Sequence, residues 1–261
     1  HHLILENGKI IVSRGPKENR FRPSIDALFR SAAYNYRGRV IGVILSGALN
    51  DGVSGMWSIK RFGGMAIVQK PEEAPFDSMP LETIRQVDVD YTLSASEIGK
   101  MLDELVLEPA TKKYDLPLQR EEQIGMEVAI AKNENALKIG VLERGEFTPL
   151  TCPDCQGALV KYPDEKLLRF RCHTGHSFTA DALLAGVTEN IERDLWKVMR
   201  GMEEGFLVLN RVGEQLKSFG IEDQAKIFYD KAEMIRLKSR YIHQVINEED
   251  VLSKEKLEEA G

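Results

Sequence analysis

The sequence has only three cysteines in 261 residues, and all of them lie in the short segment from position 152 to position 172. An odd, clustered set of this kind does not supply the disulfide framework of a secreted protein. No charged segment followed by an apolar one opens the chain, so no secretion signal is visible. We therefore expect a cytoplasmic protein whose cysteines are reduced and bind a metal.

An excess of positive charge and a long apolar run are also absent. Lysine and arginine number 35 against 41 aspartates and glutamates, which gives a formal net charge of -6. A broad basic surface for nucleic acid is not expected from this balance. The apolar runs are far shorter than the roughly 20 residues that a membrane helix needs, so no membrane insertion is expected. The dinucleotide and P-loop glycine patterns are missing, which disfavours a nucleotide-binding or phosphate-binding α/β protein.

The first 108 residues alternate between strand-like and helix-like patterns. Near-continuous apolar runs at 40–45, 65–69 and 89–93 predict buried strands. Helices are predicted between and after these strands, at 52–62, 80–86 and 94–107, the last with Ser94 and Glu97 as a capping box. This alternation predicts an α/β fold with a doubly wound, mostly parallel sheet. The chain begins with His1-His2 and without Met, so we expect the sheet to be incomplete at its N-terminus.

Two further elements are predicted ahead of these strands. Residues 3–12 are typical of a β-hairpin, with Asn7-Gly8 as a type I′ turn. A basic loop follows, and Pro23-Ser24 then begins a helix. The side chains of this basic loop, Arg14, Lys17, Arg20 and Arg22, could contact an acidic partner surface, although a solvated loop is the simpler interpretation.

The rest of the chain is predicted to hold four segments. Residues 109–147 are a linker with a short helix at 126–131, and residues 148–180 are a zinc-ribbon-like unit. Residues 181–247 carry two amphipathic stripes, which predict a helical hairpin, and residues 248–261 form a charged tail. A coiled-coil dimer is the alternative for the long stripe. Three glycines, Gly201, Gly205 and Gly213, favour packing within one chain.

Asp51 stands out in the segment VILSGALNDGVSGM, residues 43–56, directly after the first predicted parallel strand. Ligands of open α/β sheets bind beyond the carboxyl ends of the strands, which is where Asp51 is expected. The neighbouring glycines permit a close backbone approach to such a site. The alternative is structural, because Asn-Asp-Gly is ordinary turn chemistry and Asp is a good N-cap.

Several motifs in the same order resemble the CheB-type domain of chemotaxis protein-glutamate methylesterases. They are RGPKENRFRPSIDALFRSAA, GRVIGVILSGALNDGVSGM, FDSMP and VDYTLSASEIGKML, and the likeness extends from His1 to about Leu107. The resemblance implies a Ser-His-Asp hydrolase on a parallel α/β sheet. Its expected reaction is cleavage of glutamate methyl esters on the cytoplasmic region of methylated chemoreceptors.

The resemblance assigns one catalytic residue to this chain, Asp51. The family's nucleophilic Ser and its catalytic His precede the matching part of the sequence, and His1 and His2 do not match them. This 261-residue chain is therefore predicted to have no methylesterase activity of its own. One departure from the family is visible, because Ala48 stands where the family often has Met.

The cysteines form a C-x2-C pair, Cys152 and Cys155, followed by Cys172 and two histidines. The spacing is typical of a tetrahedral Cys₃His site, with His176 favoured over His173 because His173 adjoins Cys172. Zinc is the expected metal, in a structural role, and iron is second. Three reduced cysteines without a metal are the alternative. The segment also resembles a C-terminal extension on some CheB-type proteins.

Two functions follow from these patterns. The first is an esterase region with an accessory metal-binding module. The second is a non-catalytic, methylesterase-like signalling module whose metal and helical segments bind a partner, such as another two-component signalling protein. A Gly-Ala-Ser-x-Gly nucleophile turn with a downstream His would favour the first.

Overall fold

A computed structural model describes residues 1–110, 114, 116–162 and 167–248. These residues divide into two compact units, His1–Leu183 and Leu184–Gly261. The strands are β1 His2–Glu6, β2 Lys9–Ser13, β3 Ile41–Ile44, β4 Met65–Gln69, β5 Tyr91–Leu93, β6 Glu146–Thr151, β7 Ala158–Tyr162, β8 Arg169–Cys172 and β9 Ser177–Thr179. The α-helices are α1 Ile25–Tyr36, α2 Val53–Arg61, α3 Ser78–Gln86, α4 Ala95–Leu105, α5 Leu118–Ala131, α6 Ala180–Ser218 and α7 Glu222–Glu248.

The first two strands form the predicted hairpin. β1 and β2 pair antiparallel from His2 opposite Ser13 to Glu6 opposite Lys9. Asn7 and Gly8 both have positive φ, 50° and 74°, as a type I′ turn requires. The hairpin prediction is therefore confirmed.

The next three strands form a parallel sheet in the order β3-β4-β5. Helix α2 connects β3 to β4, and its apolar side, with Met56 and Ile59, packs into the main core together with Ile44 and Val68. Helix α4 begins at the expected capping box, in which Ser94 and Glu97 bond each other's backbone N–H. The parallel α/β prediction is confirmed for these strands, and the doubly wound arrangement stays a prediction.

Helix α5 is longer than the short helix expected inside a linker. It begins at Leu118, eight residues before the predicted start at residue 126. Its apolar residues Ile124, Val128 and Ala131 repeat every three or four positions and are buried, the last two against Ile4. The charged residues of its first two turns obscured this pattern in the sequence.

The cysteine-containing segment forms a four-stranded antiparallel sheet in the order β6-β7-β8-β9. The sequence itself predicts a small hairpin with strands at 158–162 and 167–171, which correspond to the two inner strands, β7 and β8. The outer strands gave weak signals, because β6 contains Pro149 and is largely exposed while β9 has three residues. The inner face of this sheet is buried around Leu159, Phe170 and Phe178.

A buried cluster of ionic side chains joins helices α1 and α5 to strand β8. Both Nη1 hydrogen bonds of Arg30 go to the Glu18 carboxylate, at 3.0 and 2.8 Å, and Arg30 Nε lies 3.1 Å from Glu127 Oε2. Glu127 also accepts from Arg169 and from Arg171, the latter at 3.0 Å. Burial alone would raise the pKa of Glu127, but Arg169, Arg30 and Arg171 hold it well below its usual range. We call these five residues the ionic cluster.

The second unit consists of most of helix α6 together with α7. A Cβ at Gly213 would lie 2.7 Å from Tyr229, and the rings of Trp196 and His243 meet edge to face at 6.2 Å. Buried residues of α7 recur every seven positions, at Ala225, Ala232, Ser239 and Ile246. Neither helix, nor any other in the described part of the chain, is long and apolar enough to cross a membrane. The predicted charged tail lies outside the described residues, except for Glu248.

Substitution Glu127→Gln is expected to lower the free energy of unfolding by about 3–5 kcal/mol, because it leaves three buried guanidinium groups short of one carboxylate. Glu122→Gln on the same helix is the matched control. Glu122 is half-exposed and lies 3.8 Å from Arg144, so its loss should cost less than about 1 kcal/mol. Urea unfolding of both variants at pH 7 measures the difference.

The same variant has a predicted pH signature. The folded-state pKa of Glu127 lies below its ordinary 4.5, so its stabilisation is present above that pH and is lost as the pH falls below it. The parent protein should therefore lose more stability than Glu127→Gln between pH 6 and the acid range. Equal acid dependence in the two proteins would contradict the assigned role of Glu127.

Candidate active-site aspartate and candidate metal centre

Asp51 lies in the turn between the carboxyl end of β3 and helix α2. The turn contains two left-handed residues, Leu49 with φ 63° and Gly52 with φ 98°. A Cβ on Gly52 would lie 2.8 Å from side-chain atoms of both Ile25 and Ile44, so only glycine fits at this position. The close approach brings the side chain of Asp51 against the start of helix α1.

The carboxylate of Asp51 accepts three hydrogen bonds from the first turn of α1 and its N-cap. Ser24 Oγ donates to Oδ1 at 2.6 Å, and the backbone N–H groups of Ile25 and Asp26 donate at 2.8 and 3.3 Å. Ser24 makes no side-chain cap of its own, so Asp51 fills that role. The structural alternative raised by the sequence therefore holds in part: Asp51 caps a helix, but that helix is α1 and not its own α2.

A second buried carboxylate, Asp26, lies beside Asp51. Its Oδ1 accepts from the Gly55 N–H at 2.6 Å and its Oδ2 from Asn19 Nδ2 at 2.7 Å. Burial and then the charge of Asp51 raise the pKa of Asp26 to about 7. Burial also raises the pKa of Asp51, although its bonds from Ser24, Ile25 and Asp26 favour the charged form.

Ser24 bonds Asp51 and His2 bonds Ser24, but the two residues do not form a nucleophile and base. His2 Nε2 lies 2.8 Å from the Pro16 carbonyl, to which it must donate, and Nδ1 accepts from the Ser24 backbone N–H at 3.3 Å. Both ring nitrogens are therefore in use. The Ser24 hydroxyl is buried and donates to Asp51 instead of to a histidine.

The sequence-predicted metal ligands come together in one cluster. The ligand atoms of Cys152, Cys155, Cys172 and His176 all lie within 4.8 Å of one another. Cys155 Sγ is 3.6 Å from Cys172 Sγ, and His176 Nδ1 is 3.7 Å from Cys152 Sγ and 3.6 Å from Cys172 Sγ. A tetrahedral zinc site with bonds of about 2.3 Å to sulfur and 2.0 Å to nitrogen separates its donor atoms by about 3.5–3.8 Å. The donor set therefore fits a tetrahedral metal ion.

Two tight turns bring these ligands together. The first lies between β6 and β7, where the Cys152 carbonyl accepts from the Gln156 N–H at 2.7 Å. The second lies between β8 and β9, where Gly175 has φ 99°. Cys172 ends β8 and His176 immediately precedes β9, so the sheet itself sets their separation.

His173 lies outside the cluster. A Cβ built on Gly157 would come within 2.3 Å of the His173 ring, so the imidazole packs against the backbone of the first turn. This is the arrangement that the adjacency of Cys172 and His173 suggested. The role of His173 is thus to cover the turn, and it leaves the fourth ligand position to His176.

The hydrogen bonds within the cluster favour a thiolate. Hydrogen bonds lower the pKa of the Cys172 thiol to about 2. The bond with Cys152 has the largest effect, and those with His176 and Thr174 add to it. Burial favours neutral His176, but its bonds with Cys172 and Cys155 raise its pKa. Thr174, whose hydroxyl lies 2.9 Å from Cys172 Sγ, is a contact that the spacing of the motif did not reveal.

Residues 1–102 match the protein-family model described as CheB methylesterase. The resemblance to the CheB methylesterase family is therefore confirmed over residues 1–102. The match ends before helix α5 and the Cys/His sheet, so these elements lie outside the family region.

Relatives with related names match the same part. A putative protein-glutamate methylesterase/protein-glutamine glutaminase of Leptospira interrogans is 43% identical over 102 residues, which are 39% of this chain and 53% of that protein. A protein-glutamate methylesterase/protein-glutamine glutaminase of Photobacterium profundum is 37% identical over 105 residues, 39% of this chain and 30% of that protein. The chain therefore spans about half, or less, of the length of these relatives.

A solved structure titled the CheB methylesterase catalytic domain of Thermotoga maritima is also similar. It is 34% identical, and the match covers 40% of this chain and 57% of that one, with a TM-score of 0.38. The family assignment depends on the sequence match over residues 1–102.

A cavity of about 640 Å³ lies elsewhere, at the amino ends of β3 and β4. It contains none of the sequence-predicted site residues. Lys60 and Asp90 on its wall pair with each other at 2.6 Å. The Asp51 turn is at the carboxyl end of β3, so this cavity is separate from the candidate aspartate.

Substitution His176→Ala is expected to abolish stoichiometric zinc binding, whereas His173→Ala should retain it. The reason is that only His176 places a ring nitrogen among the three sulfurs. Zinc per protein chain is measured by elemental analysis after gel filtration. Cys155→Ala should also lose the metal, and undiminished zinc in that variant would remove Cys155 from the ligand set.

Proposed function

We propose that residues 1–102 contribute to a protein-glutamate methylesterase in which Asp51 is the orienting carboxylate of a Ser-His-Asp triad. The observation that carries the proposal is the position of Asp51. Its carboxylate is buried and held by three donors, and the residue lies in the turn after the carboxyl end of the parallel strand β3. The family match over the same residues supplies the reaction class.

The hydrogen bonds of Asp51 leave room for the proposed role. A carboxylate has about four acceptor sites, and α1 with its N-cap fills three of them. The remaining site can accept from Nδ1–H of a histidine and stabilise the imidazolium that forms as the serine is deprotonated. The positive end of the α1 dipole favours the ionised form that this role needs.

The proposed substrates are glutamate methyl esters on the cytoplasmic region of chemoreceptors. The names of the relatives pair this activity with protein-glutamine glutaminase. Both reactions hydrolyse a side-chain acyl group, as ester or as amide, so one nucleophile, base and orienting carboxylate serves both. A methylated receptor peptide and its glutamine counterpart are therefore the two substrates to assay.

The Cys₃His cluster is proposed as a closed structural site for zinc, with iron as the second choice. Four protein ligands leave no position for water or substrate, so the metal would stabilise the fold of its sheet and take no part in ester hydrolysis. The match between the donor separations and tetrahedral coordination supports this proposal.

The 261-residue chain alone is expected to release no methanol from a methylated receptor. Among the described residues, Ser24, which bonds Asp51, and His2, which bonds Ser24, are engaged in bonds that exclude nucleophile and base roles. A chain extended at its N-terminus by the preceding open reading frame is the comparison. Equal turnover by both chains would contradict the proposal.

In an active extended chain, Asp51→Asn is expected to lower kcat by about three to four orders of magnitude. Asp90→Asn is the matched control, because Asp90 is a paired carboxylate at the amino end of the sheet and should leave kcat unchanged. Thermal unfolding of both variants separates loss of the α1 cap from loss of catalysis. A fully active and folded Asp51→Asn enzyme would remove Asp51 from the triad.

A non-catalytic signalling module is the second candidate function. The observation that favours it is the number of large apolar side chains exposed on the second unit. These are Leu207, Val208, Ile227, Met234, Leu237 and Tyr241, each more than half exposed. Absence of a nucleophile turn in the preceding reading frame, together with no turnover by the extended chain, would favour this candidate.

A further inference from the structure

Strand β9 is bonded on both sides. On one side it pairs with β8, and on the other its Ser177 pairs with the basic loop of the methylesterase-family region. The Asn19 N–H donates to the Ser177 carbonyl at 2.8 Å, and the Ser177 N–H donates to the Lys17 carbonyl at 3.2 Å. The Cys/His sheet therefore continues directly into backbone contacts with the loop that precedes helix α1.

Thr179, the last residue of β9, contacts the residue next to Asp51. Its hydroxyl donates to Asn50 Oδ1 at 3.0 Å, while Asn50 Nδ2 donates to Asp181 Oδ2 at 2.9 Å. Both polar atoms of the Asn50 side chain are thus held by residues 179 and 181. Asn50 is only 3% exposed, so water competes little with these hydrogen bonds.

A second route joins Thr179 to Asp26. The Thr179 N–H donates to Asn19 Oδ1 at 2.9 Å, and Asn19 Nδ2 donates to Asp26 Oδ2 at 2.7 Å. Asn19 therefore connects Thr179 with the Asp26 carboxylate, and Asn50 connects Thr179 with the turn that carries Asp51. The sequence did not reveal the contact between Thr179 and Asn50, because the two residues are about 130 positions apart in the chain.

The candidate metal ligands are very close to this contact along the chain. His176 precedes Thr179 by three positions, and Cys172 ends β8, the strand that pairs with β9. The turn that carries both ligands is fixed by its own bonds, with the Cys172 N–H donating to the His176 carbonyl at 3.0 Å. A Cβ at Gly175 would lie 2.6 Å from Ile130 and 2.9 Å from Pro16, so this turn is wedged between α5 and the basic loop.

We infer that the Cys₃His metal centre positions the Asp51 turn, with Thr179 and Asn50 as the positioning residues. A metal ion fixes the 172–176 turn, the turn fixes β9, and Thr179 then holds Asn50 and, through Asn19, Asp26. Metal loss frees β9 and loosens the carboxylate that the proposed triad uses. The inference rests on the proposed metal site and on the proposed role of Asp51, but its test reads the backbone of the turn and needs no enzymatic activity.

The experiment follows amide hydrogen exchange in the zinc-loaded 261-residue protein. The reporters are the amides that donate to the two carboxylates, those of Ile25, Asp26 and Gly55. Substitution Thr179→Val removes the hydroxyl and keeps the shape of the side chain. Loss of one buried hydrogen bond should speed exchange at the reporters by about two- to tenfold.

Thr148→Val is the matched control. Thr148 Oγ1 donates to the Leu159 carbonyl at 2.9 Å, within the same sheet but away from the turn. It should leave the reporters unchanged, and Thr179→Ser, which keeps the hydroxyl, should restore slow exchange. Zinc content, measured by elemental analysis, should be one per chain in all three variants.

A second arm removes the metal with a chelator and checks its loss by elemental analysis. Exchange at the three reporters should then rise at least as much as in Thr179→Val, while the amides of β4 keep their protection as an internal reference. If metal removal unfolds the protein, all amides lose protection together, and the exchange result for Thr179→Val then tests the inference. Unchanged reporters in Thr179→Val or after verified metal removal would overturn the inference, and so would a protein that binds no metal.

These outcomes are separable from failure of the proposed function. Loss of the triad assignment would appear as an active and folded Asp51→Asn enzyme, with the exchange result unaffected. Failure of the proposed metal site would appear as a parent protein that holds no stoichiometric zinc. Only the reporter amides test whether the metal centre positions the Asp51 turn.

Discussion

The ionic cluster is the interaction on which the arrangement of the first unit depends. Glu127 of α5 contacts Arg30 of α1 as well as Arg169 and Arg171 of β8, and each of these side chains is less than one tenth exposed. Charges at this depth are stable only as a complete set, because removing one partner leaves an uncompensated charge in a medium of low dielectric constant. The cluster therefore requires the family region, helix α5 and the Cys/His sheet to be folded at the same time.

This dependence changes the meaning of the segment that follows the family match. A Cys/His segment joined by a linker would be free to move apart from the region before it. Here the supposed linker contains a buried helix, and the sheet beyond it bonds the basic loop and the Asn50 side chain. The helix cap supplied by Asp51 and the contacts of Thr179 thus belong to one buried polar network. In such a network, each group's free energy depends on whether its neighbours are paired.

The elements that the sequence predicted well are those with local signals. The Asn7-Gly8 turn, the Ser94 capping box and the apolar runs of β3 and β4 each carry their information within a few residues. The four metal-ligand candidates were also found by spacing, because a tetrahedral ion restricts how far apart two pairs of ligands lie in sequence. What was missed is long-range. No local pattern shows that Glu127 pairs with Arg169 or that Thr179 bonds Asn50, and β9 is too short to give a period. The capping of α1 by Asp51 was missed for the same reason, since donor and acceptor are 25 or more residues apart.

The central claim is that the family region and the Cys/His sheet unfold as one cooperative unit. Native-state hydrogen exchange with increasing guanidinium chloride tests it directly, by comparing the opening free energies of β4, Met65–Gln69, and β8, Arg169–Cys172. We expect the amides of both strands to merge into one opening with the same free energy and the same denaturant dependence. An opening of β8 more than about 2 kcal/mol below that of β4 would contradict the account, because the two strands would then belong to separate cooperative units.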